Sequence, residues 1–301
     1  MGEEFCRVGD IELCYEQFGD PSDPTLLLVM GLGTQMIAWR PEFCEMLVER
    51  GFHVVRFDNR DIGRSSRVNG PPPTTKQLLL RSPNAGVYKL SDMADDAFGL
   101  LDHLGVEQAH IAGASMGGMI AQTMAATRPE RVLSLCSIMS TTGNRFVGQP
   151  QLRIYPLFLS RPENTPEAYR ERINKVFAAI GSPGFERDPA ELEALIAESL
   201  ERGHDPVGAA RQLGAITASG NRTAQVAKIT APTVVIHGTH DVLIRPSGGK
   251  ATARAIKGAK LVMIEGMGHD LPRGAWPQIV DAIVENAARA GVPENVEEAV
   301  S

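Results

Sequence analysis

Cysteine is scarce and unpatterned: Cys6, Cys14, Cys44 and Cys136 are the four in 301 residues, and no two stand in C-x-x-C spacing. That scatter argues against a disulfide framework or a zinc site and leaves buried or half-buried thiols in a reducing compartment as the expectation. Aromatics make up 5% of the chain, which hands the lining of any pocket to Met and Leu. Basic charge is in deficit, 30 Lys+Arg against 36 Asp+Glu, for a formal net charge of -6. Such a balance repels phosphate backbones and anionic lipid alike, so no nucleic-acid and no membrane partner is expected. No apolar run is long enough to cross a bilayer, and the acidic start, Met1-Gly-Glu-Glu-Phe-Cys6, lacks the basic-then-apolar order of a signal peptide. A cytoplasmic location is the expectation. The seven histidines show no H-E-x-x-H or comparable ligand spacing, so no metal is expected. Internal repeats and low-complexity segments are missing too.

What is present is an alternation of strands and helices. Two short alternating runs at 5–8 and 11–18 read as an antiparallel hairpin with one wet face, and the continuous apolar run 26–30 as a strand buried on both faces. A helical pattern at 41–50 leads to a second buried strand at 53–58. The order then repeats, with a helix at 91–105, a strand at 109–114, a helix at 116–127 and a strand at 132–139. This spacing predicts a parallel sheet with helices on both faces. Between 141 and 228 the rhythm breaks into helical periodicity alone, at 167–180, 189–202 and 207–218, and it resumes with strands at 232–237 and 260–265 and helices at 246–256 and 276–290. The chain is therefore expected to comprise one core, 1–142 and 229–290, interrupted by an inserted helical cap at 143–228 and followed by a frayed tail at 291–301. The stretch 64–89, with Pro71-Pro-Pro73, is too long for an ordinary connection and reads as functional or disordered.

Gly113-Ala-Ser-Met-Gly117 fits G-x-S-x-G at a predicted strand-to-helix join. Such a turn forces the serine into a strained backbone conformation and leaves no room for side chains two residues to either side. As a bare string the motif is weak, and a glycine-rich turn explains it equally well. Its context carries the weight: an α/β-hydrolase must then supply an acid and a histidine, in that order, each just past a later strand. Asp241 follows the strand at 232–237 and His269 follows the strand at 260–265, where an open α/β sheet places its ligand site. The expected triad is Ser115, Asp241, His269. Asp270 is the rival acid, and His240 is the rival base but points away from its neighbour Asp241. His237, inside its strand, reads as a satisfied core histidine. Oxyanion donors are expected from the Met116 N–H, at the positive end of its helix, and from the Leu32 N–H, flanked by Gly31 and Gly33. Met36, Trp39 and Met139, with Met119 beside the elbow, are candidate substrate-binding walls, and plain core positions are the competing account of several of them. Arg60 and Arg64, in the polar run after the strand at 53–58, read first as partners of a tight turn.

The runs Leu26-Leu-Leu-Val-Met-Gly31, Asp58-Asn-Arg-Asp-Ile-Gly-Arg-Ser65, Gly113-Ala-Ser-Met-Gly-Gly-Met-Ile-Ala-Gln122 and Gly266-Met-Gly-His269 together resemble the bacterial esterases related to aclacinomycin methylesterase. That resemblance covers nearly the whole chain and implies an α/β-hydrolase fold: an eight-stranded, mostly parallel sheet flanked by helices, a helical cap and no cofactor. It departs at position 32, where Leu32 replaces an expected glycine, and in the longer proline-rich loop at 64–89. The expected activity is a serine hydrolase that cleaves a carboxylic ester, a methyl ester among the candidates, of a small hydrophobic substrate through an acyl-enzyme. An enol-lactonase or a cofactor-free perhydrolase on the same triad is the alternative. Epoxide hydrolases and dehalogenases carry an aspartate where this chain has Ser115, which counts against them. From a different class, a non-catalytic small-molecule receptor can share the fold.

Overall fold

The computed structural model describes residues 2–159 and 165–291. Strands β1 (Glu4–Val8) and β2 (Ile11–Phe18) form the opening hairpin; β3 (Thr25–Val29), α1 (Pro41–Val48) and β4 (His53–Phe57) follow. Next come α2 (Thr75–Leu79), α3 (Leu90–His103), β5 (Ala109–Ala114), α4 (Met116–Thr127) and β6 (Val132–Ile138). A helical stretch then carries α5 (Tyr155–Leu159), α6 (Pro166–Ile180), α7 (Pro189–Arg202), α8 (Pro206–Ser219) and α9 (Thr223–Val226). The chain closes with β7 (Thr233–Gly238), α10 (Ser247–Ala255), β8 (Lys260–Ile264) and α11 (Trp276–Ala287). The expectation of a frayed tail falls almost wholly on 292–301, outside the described residues. No helix among the described residues is long and apolar enough to cross a membrane.

The eight strands lie in the order β1-β2-β4-β3-β5-β6-β7-β8, with β1 and β2 antiparallel to their neighbours and all other pairs parallel. Strands β3, β4, β5 and β7 are buried along their whole length, because helices cover both faces. The period of two sorts their side chains into two cores. Leu26, Leu28 and Val54 pack with Phe43 and Leu47 of α1 and with Ile279, Val280 and Ile283 of α11. Leu27, Val29, Val55 and Phe57 face the other way, onto Phe98 and Leu101 of α3 and Ile120 and Met124 of α4. The four cysteines are buried free thiols, and burial pushes Cys14 and Cys44 up to about 12.

Chain order reverses at β3: β4 pairs on one side of it and β5 on the other. The loops that leave β3 and β5 therefore diverge and open a crevice at the carboxyl end of the sheet. The helical stretch between β6 and β7 is fastened over this end by buried polar contacts. Arg202 of α7 pairs with Asp58. Arg211 of α8 makes two hydrogen bonds to Asp61, at 2.9 and 2.6 Å. Arg222 donates to the carbonyls of Met119 and Thr141 at 3.0 and 2.8 Å. The run 58–65 is thus largely structural. Asp58 accepts the Met36 and Arg64 N–H groups, Arg60 pairs with Asp96, and Arg64 pairs with Glu3. The stretch 64–89 is ordered where it meets α8: Tyr88 donates its hydroxyl to Asp61 at 2.8 Å, and Gly86 lies against the Gly214 backbone.

Arg211→Met leaves Asp61 buried without its guanidinium. Urea denaturation is expected to show a loss of about 3–5 kcal/mol, the usual cost of breaking a buried pair; a loss below ~1 kcal/mol would mean that the pair does not hold the helical stretch down.

Candidate active site

The turn from β5 into α4 places Ser115 at φ 57° and ψ -117°, a conformation that L-residues rarely adopt and that costs about 1–3 kcal/mol. Its surroundings enforce it. A Cβ on Gly113 would lie 2.2 Å from the Gly117 carbonyl oxygen, one on Gly117 2.0 Å from the Val29 carbonyl oxygen, and one on Gly118 2.6 Å from the Ser140 Cβ. Only hydrogen fits at these three positions. The Ser115 N–H donates to the Ile138 carbonyl at 2.9 Å, and the Ser140 hydroxyl donates to the Ser115 carbonyl at 2.8 Å, so the elbow is also tied to the end of β6.

Asp241 follows β7, and two backbone donors fix its carboxylate: Leu243 and Ile244 N–H reach Oδ1 at 2.9 and 2.8 Å. Oδ2 lies 2.7 Å from His269 Nδ1 and 3.3 Å from His237 Nε2. Burial pushes the Asp241 carboxyl up, but the charges and hydrogen bonds of His269 and His237 outweigh it and bring it down to about 2. The group is therefore ionised at neutral pH. His269 follows β8, and its N–H donates to the Ile180 carbonyl at 2.7 Å. Its ring Nε2 lies 2.9 Å from Ser115 Oγ. A neutral imidazole that donates Nδ1–H to Asp241 presents Nε2 as an acceptor to the serine hydroxyl. The backbone makes room for this: a Cβ on Gly268 would meet the Ile180 carbonyl oxygen at 2.5 Å, and one on Gly238 the Met267 carbonyl oxygen at 2.1 Å.

The loop after β3 abuts the same serine: a Cβ on Gly31 would come within 3.2 Å of the Ser115 Cβ. Among the described residues, the Leu32 and Met116 N–H groups donate to no protein acceptor. Met139, at φ 39°, sits at the end of β6 next to Ser140. Met36 and Trp39 are buried in core contacts. Met36 packs with Cys14 and Ile37, and Trp39 stacks on Phe43 at 5.3 Å between ring centres. The Met36 N–H donates to Asp58 Oδ1 at 2.7 Å, which helps turn this segment inward. A cavity of about 30 Å³ lies beside Gly33 and Thr34 and is lined by Tyr169, Ile173 and Phe177 of α6 and Leu195 of α7. His240 is exposed, and Asp270 bonds to Ser182 instead of to His269.

Several contacts lie beyond the sequence reading, among them those of His237, Arg202 and Gln212. His237 Nε2 donates to the Ile244 carbonyl, 2.7 Å away, and lies 3.3 Å from Asp241 Oδ2. Arg202 reaches Asp58 from α7, and Gln212 of α8 reaches the Gly33 N–H. Only His237 had a local signal, the i, i+4 spacing to Asp241 across the end of β7.

An eight-stranded, mostly parallel sheet with a serine elbow at its switch point defines the α/β-hydrolase class of fold. The chain belongs to the alpha/beta hydrolase fold family, whose model matches residues 24–272. It is 29% identical over 304 aligned positions to rhodomycin D methylesterase DnrP of Streptomyces peucetius, covering 94% of this chain and 97% of that protein. It is 26% identical to 3-oxoadipate enol-lactonase 2 of Acinetobacter baylyi, over 85% of this chain and 86% of that one. Among solved structures, the enol-lactonase from Burkholderia xenovorans LB400 superposes with a TM-score of 0.76 at 25% identity, covering 95% of this chain and all of that one, 100%.

Gly117→Ala forces a methyl group into the Val29 carbonyl. It is expected to destabilise the protein by at least about 3 kcal/mol, the upper range for overpacking, as read by thermal or chemical denaturation. A variant as stable as wild type would show that the elbow is looser than its contacts require.

Proposed function

We propose that the protein is a serine hydrolase that cleaves a carboxylic ester of a small hydrophobic substrate through an acyl-enzyme. The observation that carries this reading is the continuous relay from Ser115 Oγ to His269 Nε2, 2.9 Å, and from His269 Nδ1 to Asp241 Oδ2, 2.7 Å, on a strained elbow. In this reading His269 takes the Ser115 proton as Oγ adds to the ester carbonyl. Asp241 holds the ring in the productive tautomer and stabilises the imidazolium. The Leu32 and Met116 N–H groups receive the oxyanion. The tetrahedral adduct collapses, the alcohol leaves with the proton from His269, and water activated by the same base releases the acid and restores Ser115. Every proton is returned within the cycle, so the reaction needs no added cofactor. The helices of 143–228 act as the cap, and α6 and α7 supply apolar wall.

Likeness to the methylesterase favours a small alkyl leaving group, and a methyl ester is the first substrate class to try. A second reading, lactone opening by the same acyl chemistry, draws on likeness to the enol-lactonases. A panel of methyl esters, p-nitrophenyl esters of increasing acyl length and enol-lactones, each run with Ser115→Ala as control, separates the two. Ser115→Ala is expected to lower kcat by roughly 10^6-fold and Asp241→Asn by about 10^4-fold, the latter through the wrong imidazole tautomer. A Ser115→Ala variant that turns over every active substrate at the wild-type rate would sink the proposal. Negligible wild-type turnover together with a ligand-dependent rise in Tm would favour the receptor reading.

A further inference from the structure

Residues 31–34 form a tight turn. Thr34 N–H reaches the Gly31 carbonyl at 3.3 Å, and Gly33, at the third position, has φ +65°. A positive φ there is the mark of a type II turn, which differs from type I by a flip of the central peptide, here the one joining Leu32 to Gly33. Both ends of that peptide are held. The Leu32 carbonyl accepts the Thr34 hydroxyl at 3.2 Å, and the Gly33 N–H donates to the Oε1 of Gln212 at 2.8 Å. Gln212 is fully buried on α8, and its Nε2 donates to the Arg60 carbonyl at 2.9 Å, which fixes which end of the amide faces Gly33. One turn earlier on α8, the Ala209 Cβ backs the same glycine, 3.3 Å from where a Cβ on Gly33 would sit. The neighbouring Arg211–Asp61 pair seats the helix.

We infer that Gln212 is a positioning residue for the oxyanion site: from the helical stretch between β6 and β7 it fixes the orientation of the turn that presents the Leu32 N–H. This rests on the serine-hydrolase reading and deepens it. A glutamine 179 positions away in sequence supplies what Thr34 alone does not, an acceptor for the one N–H that a peptide flip would turn elsewhere. The helical stretch is then part of the electrostatic machinery as well as a cover, because a donor that wanders by a fraction of an ångström loses most of its advantage in the transition state.

The test compares Gln212→Met, close in size but lacking both hydrogen bonds, with Gln212→Glu. A neutral glutamic acid there keeps a carbonyl for Gly33 and an O–H for Arg60. With p-nitrophenyl acetate as substrate, the Met variant is expected to lose about 10- to 100-fold in kcat, less than deletion of a whole donor, with KM within about threefold of wild type. The Glu variant is expected to recover most of that loss. Thr34→Val, which frees the other end of the same peptide, is expected to lower kcat in the same KM-independent way and serves if Gln212→Met does not fold. A folded Gln212→Met with wild-type kcat, or equal losses in the Met and Glu variants, overturns the inference, as does an unchanged kcat in Thr34→Val. Turnover that requires Ser115 but ignores these changes fails this inference alone; turnover that survives Ser115→Ala fails the parent reading and this one with it.

Discussion

The close approach of three backbone segments around Ser115 sets the other distances in the site. The amide backbone of α4 comes so near to β3 and to its own preceding turn that Gly113, Gly117 and Gly118 have room for nothing beyond a hydrogen. That crowding holds the serine at φ 57°, with its Oγ 2.9 Å from His269 Nε2. The cost of the strained residue, about 1–3 kcal/mol, is small beside the burial on either side of the sheet, where fully enclosed leucines at 26, 27 and 28 would each cost about 2–5 kcal/mol to truncate. A fold that was less well packed at its centre could not sustain the elbow.

Electrostatics work outward from that centre. Asp241 is buried, yet two histidines keep it ionised while two backbone N–H groups hold its Oδ1, so a negative charge is fixed 2.7 Å from one edge of the His269 ring and the serine stands 2.9 Å from the other. The fold fixes this arrangement in advance, and in the proposed reaction such preorganisation is what makes charge stabilisation effective. The helices between β6 and β7 join this order through arginines that enter the core at Asp58 and Asp61. Both attachment points lie in the polar run 58–65 that follows β4.

Much of this was legible in the sequence because it is local or ordered along the chain. The elbow is a five-residue pattern, and the acid and histidine follow the strands in sequence order. The helices at 166–180, 189–202 and 206–219 announce themselves by periodicity to within a residue of where they occur. The short helix at 75–79 inside the proline-rich loop was missed although Thr74-x-x-Gln77 is a capping box, formed here in both directions. What resisted reading was non-local. Met36 and Trp39 follow the first parallel strand and could have faced the pocket; a hydrogen bond from Met36 to Asp58, 22 positions on, helps turn that segment into the core. Gln212 looks like an ordinary polar residue of an amphipathic helix until its partner in the turn after β3 is seen.

Ser115 as the proposed nucleophile is tested most directly by a covalent measurement. Incubation with diethyl p-nitrophenyl phosphate, followed by intact mass and peptide mapping, is expected to give one diethylphosphoryl group per chain, carried by the peptide that contains Ser115, with esterase activity lost in step. An adduct on another residue, or full loss of activity with residue 115 unmodified, would contradict the account.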